Sequence, residues 1–180
     1  MKPRQPDPRK LDVAAAANEA LALEGQWPLI GFERLIEGSN QDGAVTWSAS
    51  GQLRREPGGE AQTWLHLAAQ ARVWRDCQRC LQPVALDLQV ARAFRFVADE
   101  ATAEALDAQS EDDVLALPRW LDLHELVEDE LLLALPLVPM HGQCPQALPM
   151  AVGLEALETA TESASRPFAA LAGLKRGTKG

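Results

Sequence analysis

No stretch of this sequence is long and apolar enough to cross a membrane. The densest apolar run, Leu131 to Val138, is interrupted by Pro136, and a span needs about 20 apolar residues. The charged start, Met1-Lys2-Pro3-Arg4, has no apolar stretch behind it, so no secretory signal is expected. Cysteine is scarce. There are three, an odd number, and two stand in a single Cys-x-x-Cys. That argues against a secreted disulfide framework and makes a reducing cytoplasm the expected location. The short motifs of common enzymes are also missing: there is no G-x-S-x-G, no Walker loop, no G-x-G-x-x-G and no H-E-x-x-H. Their absence favours a protein that binds over one that catalyses.

Basic residues are nearly absent from one long region. Residues 98–165 carry 1 basic and 15 acidic side chains, whereas residues 1–97 carry 12 and 11 and residues 166–180 carry 4 and none. The net charge is −9. The acidic block is either a solubilising surface or one that attracts basic partners such as ribosomal proteins, and in both cases it repels bare nucleic acid. Apolar residues make up 47% of the 180, enough for one compact domain with tails.

The pattern along the chain predicts an α+β fold: a curved antiparallel sheet with flanking helices, an acidic loop and a C-terminal helical tail. Residues 1–10 read as a mobile arm, 11–144 as the core domain, 145–165 as a linker, and 166–180 as a basic tail with a short helix. Asp12 can cap a helix over 13–23 that Gly25 ends. Val45, Trp47 and Ala49 alternate with polar neighbours. So do Leu65, Leu67, Ala69, Ala71 and Val73, and then Val84, Leu86, Leu88, Val90, Phe94 and Phe96. Period-two patterns of this length are strands with one buried face. The Cys77-Gln78-Arg79-Cys80 turn therefore caps a hairpin. Asp99 to Asp113 reads as an acidic, partly helical loop. A helix over 122–135 follows, with Asp122 as its N-cap and Pro136 at its end.

The cysteines carry the clearest chemical signal. Cys77-x2-Cys80 and His141-x2-Cys144 together supply three sulfurs and a nitrogen, a complete set for structural zinc with no open position. The other readings are a leftover knuckle with an ordinary loop thiol, or a redox dithiol. Glu125, Glu128 and Asp129 are expected to face water or a protein partner, and Glu130, nearer the apolar side, to need a cation. His124 is expected to be a solvated helix residue. Phe168, Leu171 and Leu174 share one side of the tail helix and form a second candidate partner contact. Strand parity turns Trp74 outward with Arg72. With Arg75, Arg79, Arg92 and Arg95 nearby, these could form an aromatic and basic face for RNA.

Several segments taken together resemble the YceD-like family of large ribosomal RNA subunit accumulation proteins. Cys77-Gln78-Arg79-Cys80-Leu81-Gln82-Pro83 is similar to its C-x-R-C-x-x-P signature. The stretch Val127-Glu128-Asp129-Glu130, continued by an apolar run and Leu135-Pro136-Leu137-Val138-Pro139, resembles V-E-D-E followed by L-P-x-V-P. Pro167-Phe168-Ala169-Ala170-Leu171-Ala172-Gly173-Leu174-Lys175 looks like the family's closing segment. The resemblance implies a role in accumulation of 23S ribosomal RNA through processing or large-subunit assembly, and brings no catalytic residues with it. The expected partners are a ribosomal protein or rRNA-processing factor, and pre-23S rRNA. A metal-dependent rRNA-processing enzyme and a zinc-stabilised interaction module outside ribosome assembly stand as the alternatives.

Overall fold

The computed structural model describes residues 6–38, 42–55 and 58–145. Five strands form one open sheet in the order β1-β2-β3-β4-β5. They are β1 (Ala22–Pro28), β2 (Ala44–Arg55), β3 (Ala61–Asp76), β4 (Pro83–Val97) and β5 (Asp113–Ala116). The first four run antiparallel to their neighbours, and β5 lies parallel to β4. The sheet is therefore mixed, where the sequence pattern predicted an antiparallel one. The difference comes from residues 99–113. They form a helix, α2 (Glu100–Asp107), capped by Asp99 and followed directly by β5. A helical crossover returns the chain in the direction it left, so the strand after it pairs parallel.

Alternation sets the two faces. Reading across the sheet, Gly25, Trp47, Ala69 and Val90 stand in one row, and Leu23, Ala49, Leu67 and Arg92 in the next. These rows, with Leu65, Ala71, Val73, Leu88 and Phe94, make the inner face. Two helices complete the core there: α1 (Val13–Asn18) through Val13 and Ala16, and α3 (Leu123–Leu133) through Leu123, Val127 and Leu131. Burying a leucine or valine side chain contributes about 1.5–3 kcal/mol, so this layer dominates stability. On the outer face α2 packs against β4 and β5. Trp64, Arg95 and Val114 share a row on that face, and Trp64, Val114 and Ala103 of α2 are buried apart from the main core.

The first helix is shorter than predicted. Asp12 caps it, its carboxylate accepting from the Ala15 amide at 2.9 Å. It stops at Asn18, and Ala20 takes a left-handed φ of 48°. Residues 22–28 then join the sheet as β1, so Gly25 lies within a strand. A side chain there would meet the Trp47 indole at 2.9 Å. The alanine run is helical as its propensity favours, but pairing of residues 22–28 with β2 along seven positions stops the helix from continuing to residue 23.

Candidate metal centre and its surroundings

The six residues between β3 and β4 form a tight knuckle. The Cys77 amide donates to the Gln82 carbonyl at 2.9 Å and the Leu81 amide to the Cys77 carbonyl at 2.8 Å. Leu81 adopts a left-handed φ of 59° at its tip. The second half of the cluster arrives from α3. Asp122 caps that helix by accepting from the amides of His124 and Glu125, and Ala134 closes it ahead of Pro136. The chain then runs back to the knuckle, where the Gln78 amide donates to the Pro139 carbonyl at 2.9 Å. This contact carries His141 and Cys144 to Cys77 and Cys80.

One ligand atom from each of the four lies within 4.8 Å of the others. Cys77 Sγ stands 3.9 Å from Cys144 Sγ, and Cys80 Sγ 3.5 Å from His141 Nδ1. Donors around a single tetrahedral zinc, bound at about 2.3 Å for sulfur and 2.0–2.1 Å for nitrogen, stand about 3.5–3.8 Å apart. The donor set fits that ion in both type and spacing. The far ring nitrogen of His141, Nε2, lies 3.1 Å from the Pro83 carbonyl oxygen. A carbonyl only accepts, so Nε2 carries the hydrogen, and in the neutral ring Nδ1 then keeps its lone pair toward Cys80. Such an outer bond fixes the tautomer of a ligating histidine.

Charge at the cluster is uneven. Burial works against a thiolate at Cys77, but the amides of His141, Cys80 and Arg79 together hold its pKa down to about 5. Burial pushes Cys144 up, helped by hydrogen bonding with Cys80 and Cys77. Cys77 is fully enclosed, while Cys80 and Cys144 are half-buried. Four protein donors leave no position for a substrate, so the arrangement suits a structural ion.

Among the carboxylates of α3, Glu128 departs from expectation, whereas Glu125 and Asp129 are exposed and Glu130 is paired with a cation as expected. Glu128 is buried. Its Oε1 accepts from the backbone amides of Arg34 and Leu35 at 2.9 and 3.1 Å, and its Oε2 takes the Arg34 guanidinium at 2.9 Å. Asp129, at the surface, binds the same guanidinium at 2.6 Å. Glu128 therefore anchors the turn after β1 and does not face a partner. Glu130 finds its cation in Arg92, at 3.1 Å. Glu125 stays exposed. His124 is buried as well, stacked on Phe32 with ring centroids 4.1 Å apart and 5.1 Å from Trp27. His124, Val127, Glu128 and Leu131 follow the i, i+3, i+4, i+7 spacing of a buried stripe, and that spacing was a readable signal for both corrections.

The arginines do not assemble into one face. Parity sends Arg92 and Arg75 to the inner side and Arg72, Trp74 and Arg95 to the outer. Arg72 is bound to Asp87, its cross-strand neighbour. Arg75 donates to the Leu35 carbonyl at 2.6 Å. Arg95 is half-buried, and its Nε has no hydrogen-bond partner among the described residues. Arg79 lies on the knuckle, 3.9 Å from the Met140 sulfur. Arg34, the cation that organises the α3 carboxylates, has no sequence signature and was missed. Phe168, Leu171 and Leu174 lie outside the described residues.

A family model described as "Large ribosomal RNA subunit accumulation protein YceD" matches residues 65–175, a span that contains the knuckle, α3 and all four candidate ligands. The chain belongs to the YceD family. A relative from Haemophilus influenzae, itself named a large ribosomal RNA subunit accumulation protein YceD, is 38% identical over 104 residues, which is 56% of this chain and 59% of that protein. The aligned part thus spans about three-fifths of the relative's length. No solved structure matches the chain significantly. Among the described residues no helix is long and apolar enough to cross a membrane.

Proposed function

We propose that this protein promotes accumulation of large-subunit ribosomal RNA by holding a basic protein partner, a ribosomal protein or an rRNA-processing factor, during large-subunit assembly in the cytoplasm. Membership of the YceD family supports the process. The observation that carries the mode of action is the commitment of Arg34, Arg72, Arg75 and Arg92 to acceptors within the chain. Neutralising a phosphate backbone takes several uncommitted cations on one surface, and three of the five arginines of the expected RNA face, Arg72, Arg75 and Arg92, are held by acceptors within the chain. Residues 98–165 carry 15 acidic side chains against 1 basic, which suits a basic protein.

In this reading Cys77, Cys80, His141 and Cys144 hold zinc as a structural clamp that ties the β3–β4 hairpin to the segment after α3. Exposed Glu125 and Asp129 contribute to partner attraction. Phe168, Leu171 and Leu174 of the tail add an apolar contact. The closed donor set and the internal pairing of Glu128 and Glu130 favour binding over hydrolytic chemistry.

Sedimentation of cell extract through a sucrose gradient, with the protein followed across the ribosomal fractions, tests this. Co-migration with large-subunit precursors, lost at high salt, is the expected result. Confinement to the top of the gradient at both salt concentrations, with normal 23S rRNA levels in cells lacking the protein, would overturn it.

A further inference from the structure

Beside the metal centre lies a surface that neither the fold nor the cluster accounts for. Leu81, Leu133, Leu137, Val138 and Met140 are all exposed, Leu137 completely. They come from two segments that the structure binds together through the Gln78–Pro139 hydrogen bond, the Arg79–Met140 contact and the approach of His141 to Pro83. Water-exposed apolar groups gathered this way mark contact surfaces more often than solitary ones do. Leu81 supports this further. A residue other than glycine in a left-handed conformation is disfavoured, and here that conformation presents a leucine to solvent at the knuckle tip.

The charges around the patch define the occupant. Glu125, Asp129 and Leu133 stand four residues apart on α3, so they share one exposed stripe leading into the patch. Arg34 pairs with both Glu128 and Asp129, which leaves two carboxylates against one guanidinium. The last turn of α3 has no basic side chain, so its carbonyl end adds partial negative charge. Within the patch itself Arg79 is the cation, lying on Met140.

We infer that this surface docks a protein segment with an apolar face flanked by lysine or arginine, the apolar face on Leu137, Val138 and Met140 and the cations toward Glu125 and Asp129. The inference rests on the proposed binding role and assigns that role a place. An RNA does not suit the patch, because its phosphates would meet one arginine and the negative stripe of α3.

The test uses the full chain carrying the photo-crosslinking residue benzoylphenylalanine at position 137, and separately at Ala101 on α2, in growing cells. The expected product from position 137 is an adduct with a protein of net positive charge. That adduct is to be lost on Met140→Asp and weakened at least several-fold by Glu125→Lys, and position 101 is to give none. An adduct with RNA, an adduct indifferent to Glu125→Lys, or no adduct would overturn the inference. Thermal melts of Met140→Asp and Glu125→Lys unchanged from the unsubstituted chain exclude misfolding as the cause of a lost adduct. Co-sedimentation with large-subunit precursors, scored on the same cells, separates the two readings. If it persists without an adduct, the surface is wrong and the binding role stands; if it fails as well, the binding role is wrong.

Discussion

Two glutamates three positions apart on one helix illustrate how residue identity and residue role diverge. Glu128 serves two backbone amides and a guanidinium from a buried position, while Glu125 stands in water. Hydrogen bonds to a charged group are worth about 1.5–3 kcal/mol, and orphaned amides add to the loss. Glu128→Ala is expected to destabilise the protein by about 2–4 kcal/mol, read as a shifted midpoint in denaturant. Glu125→Ala is expected to change stability by less than about 0.5 kcal/mol. His124 adds a pH dependence. Burial, and secondarily the charge of Arg9, lowers its pKa below the ordinary 6.5, against the opposing pull of Asp122, Glu128 and Glu125. The folded state therefore favours the neutral ring, while the unfolded chain takes up a proton below about 6.5. By linkage, nothing is lost above that pH, and stability falls as the pH drops below it toward the folded value. Melting temperatures at about pH 7.5 and 5.5 should diverge more for the unsubstituted protein than for His124→Phe, which keeps the aromatic stack without the titration. Equal divergence in the two would show that His124 titrates normally.

At the scale of elements, the close crossing of α1 over β2 sets the geometry of one end of the core. A Cβ at Gly51 would fall 2.5 Å from the carbonyl carbon and oxygen of Ala16. Both contacts are backbone atoms, so no side chain can move aside. Gly51→Ala is expected to cost about 1–3 kcal/mol by forcing the helix off the sheet, measured by thermal or chemical unfolding; an unchanged midpoint would mean the helix moves away freely. The long strands β3 and β4 were legible in the sequence because their alternation spans many positions and one face is dry. Helix α3 was legible from its cap and its proline. Strand β1 was not, because its seven residues include Gly25 and Pro28 and follow an alanine run that favours helix. Helix α2 was legible only as a partly helical loop and β5 was hidden, because the segment is so acidic and alanine-rich that no period stands out.

For the whole molecule, the cluster of Cys77, Cys80, His141 and Cys144 brings distant parts of the chain together. Cys77 and Cys144 stand 67 positions apart in sequence and 3.9 Å apart in space. A structural zinc there would add its binding energy to folding. Elemental analysis of the purified protein is expected to give about one zinc per chain. A strong chelator should lower the melting temperature, and Cys80→Ser should melt like the chelated protein and not respond further to chelator. Absence of metal together with a chelator-insensitive melt would reduce the cluster to a set of neighbouring thiols.

By itself, the sequence determined which residues could ligate a metal, which strands are two-faced and which family the chain resembles, because donor chemistry, alternation and motif order are local properties. Only the tertiary structure decided what the charged residues do. Glu128 turned inward because the turn at Arg34 and Leu35 presents it with two amides and a cation. Arg72 and Arg92 were claimed by Asp87 and Glu130 because register and packing placed those carboxylates within reach. A charge takes whatever partner the fold brings to within a few ångströms, and that distance is not written in the spacing of residues along the chain.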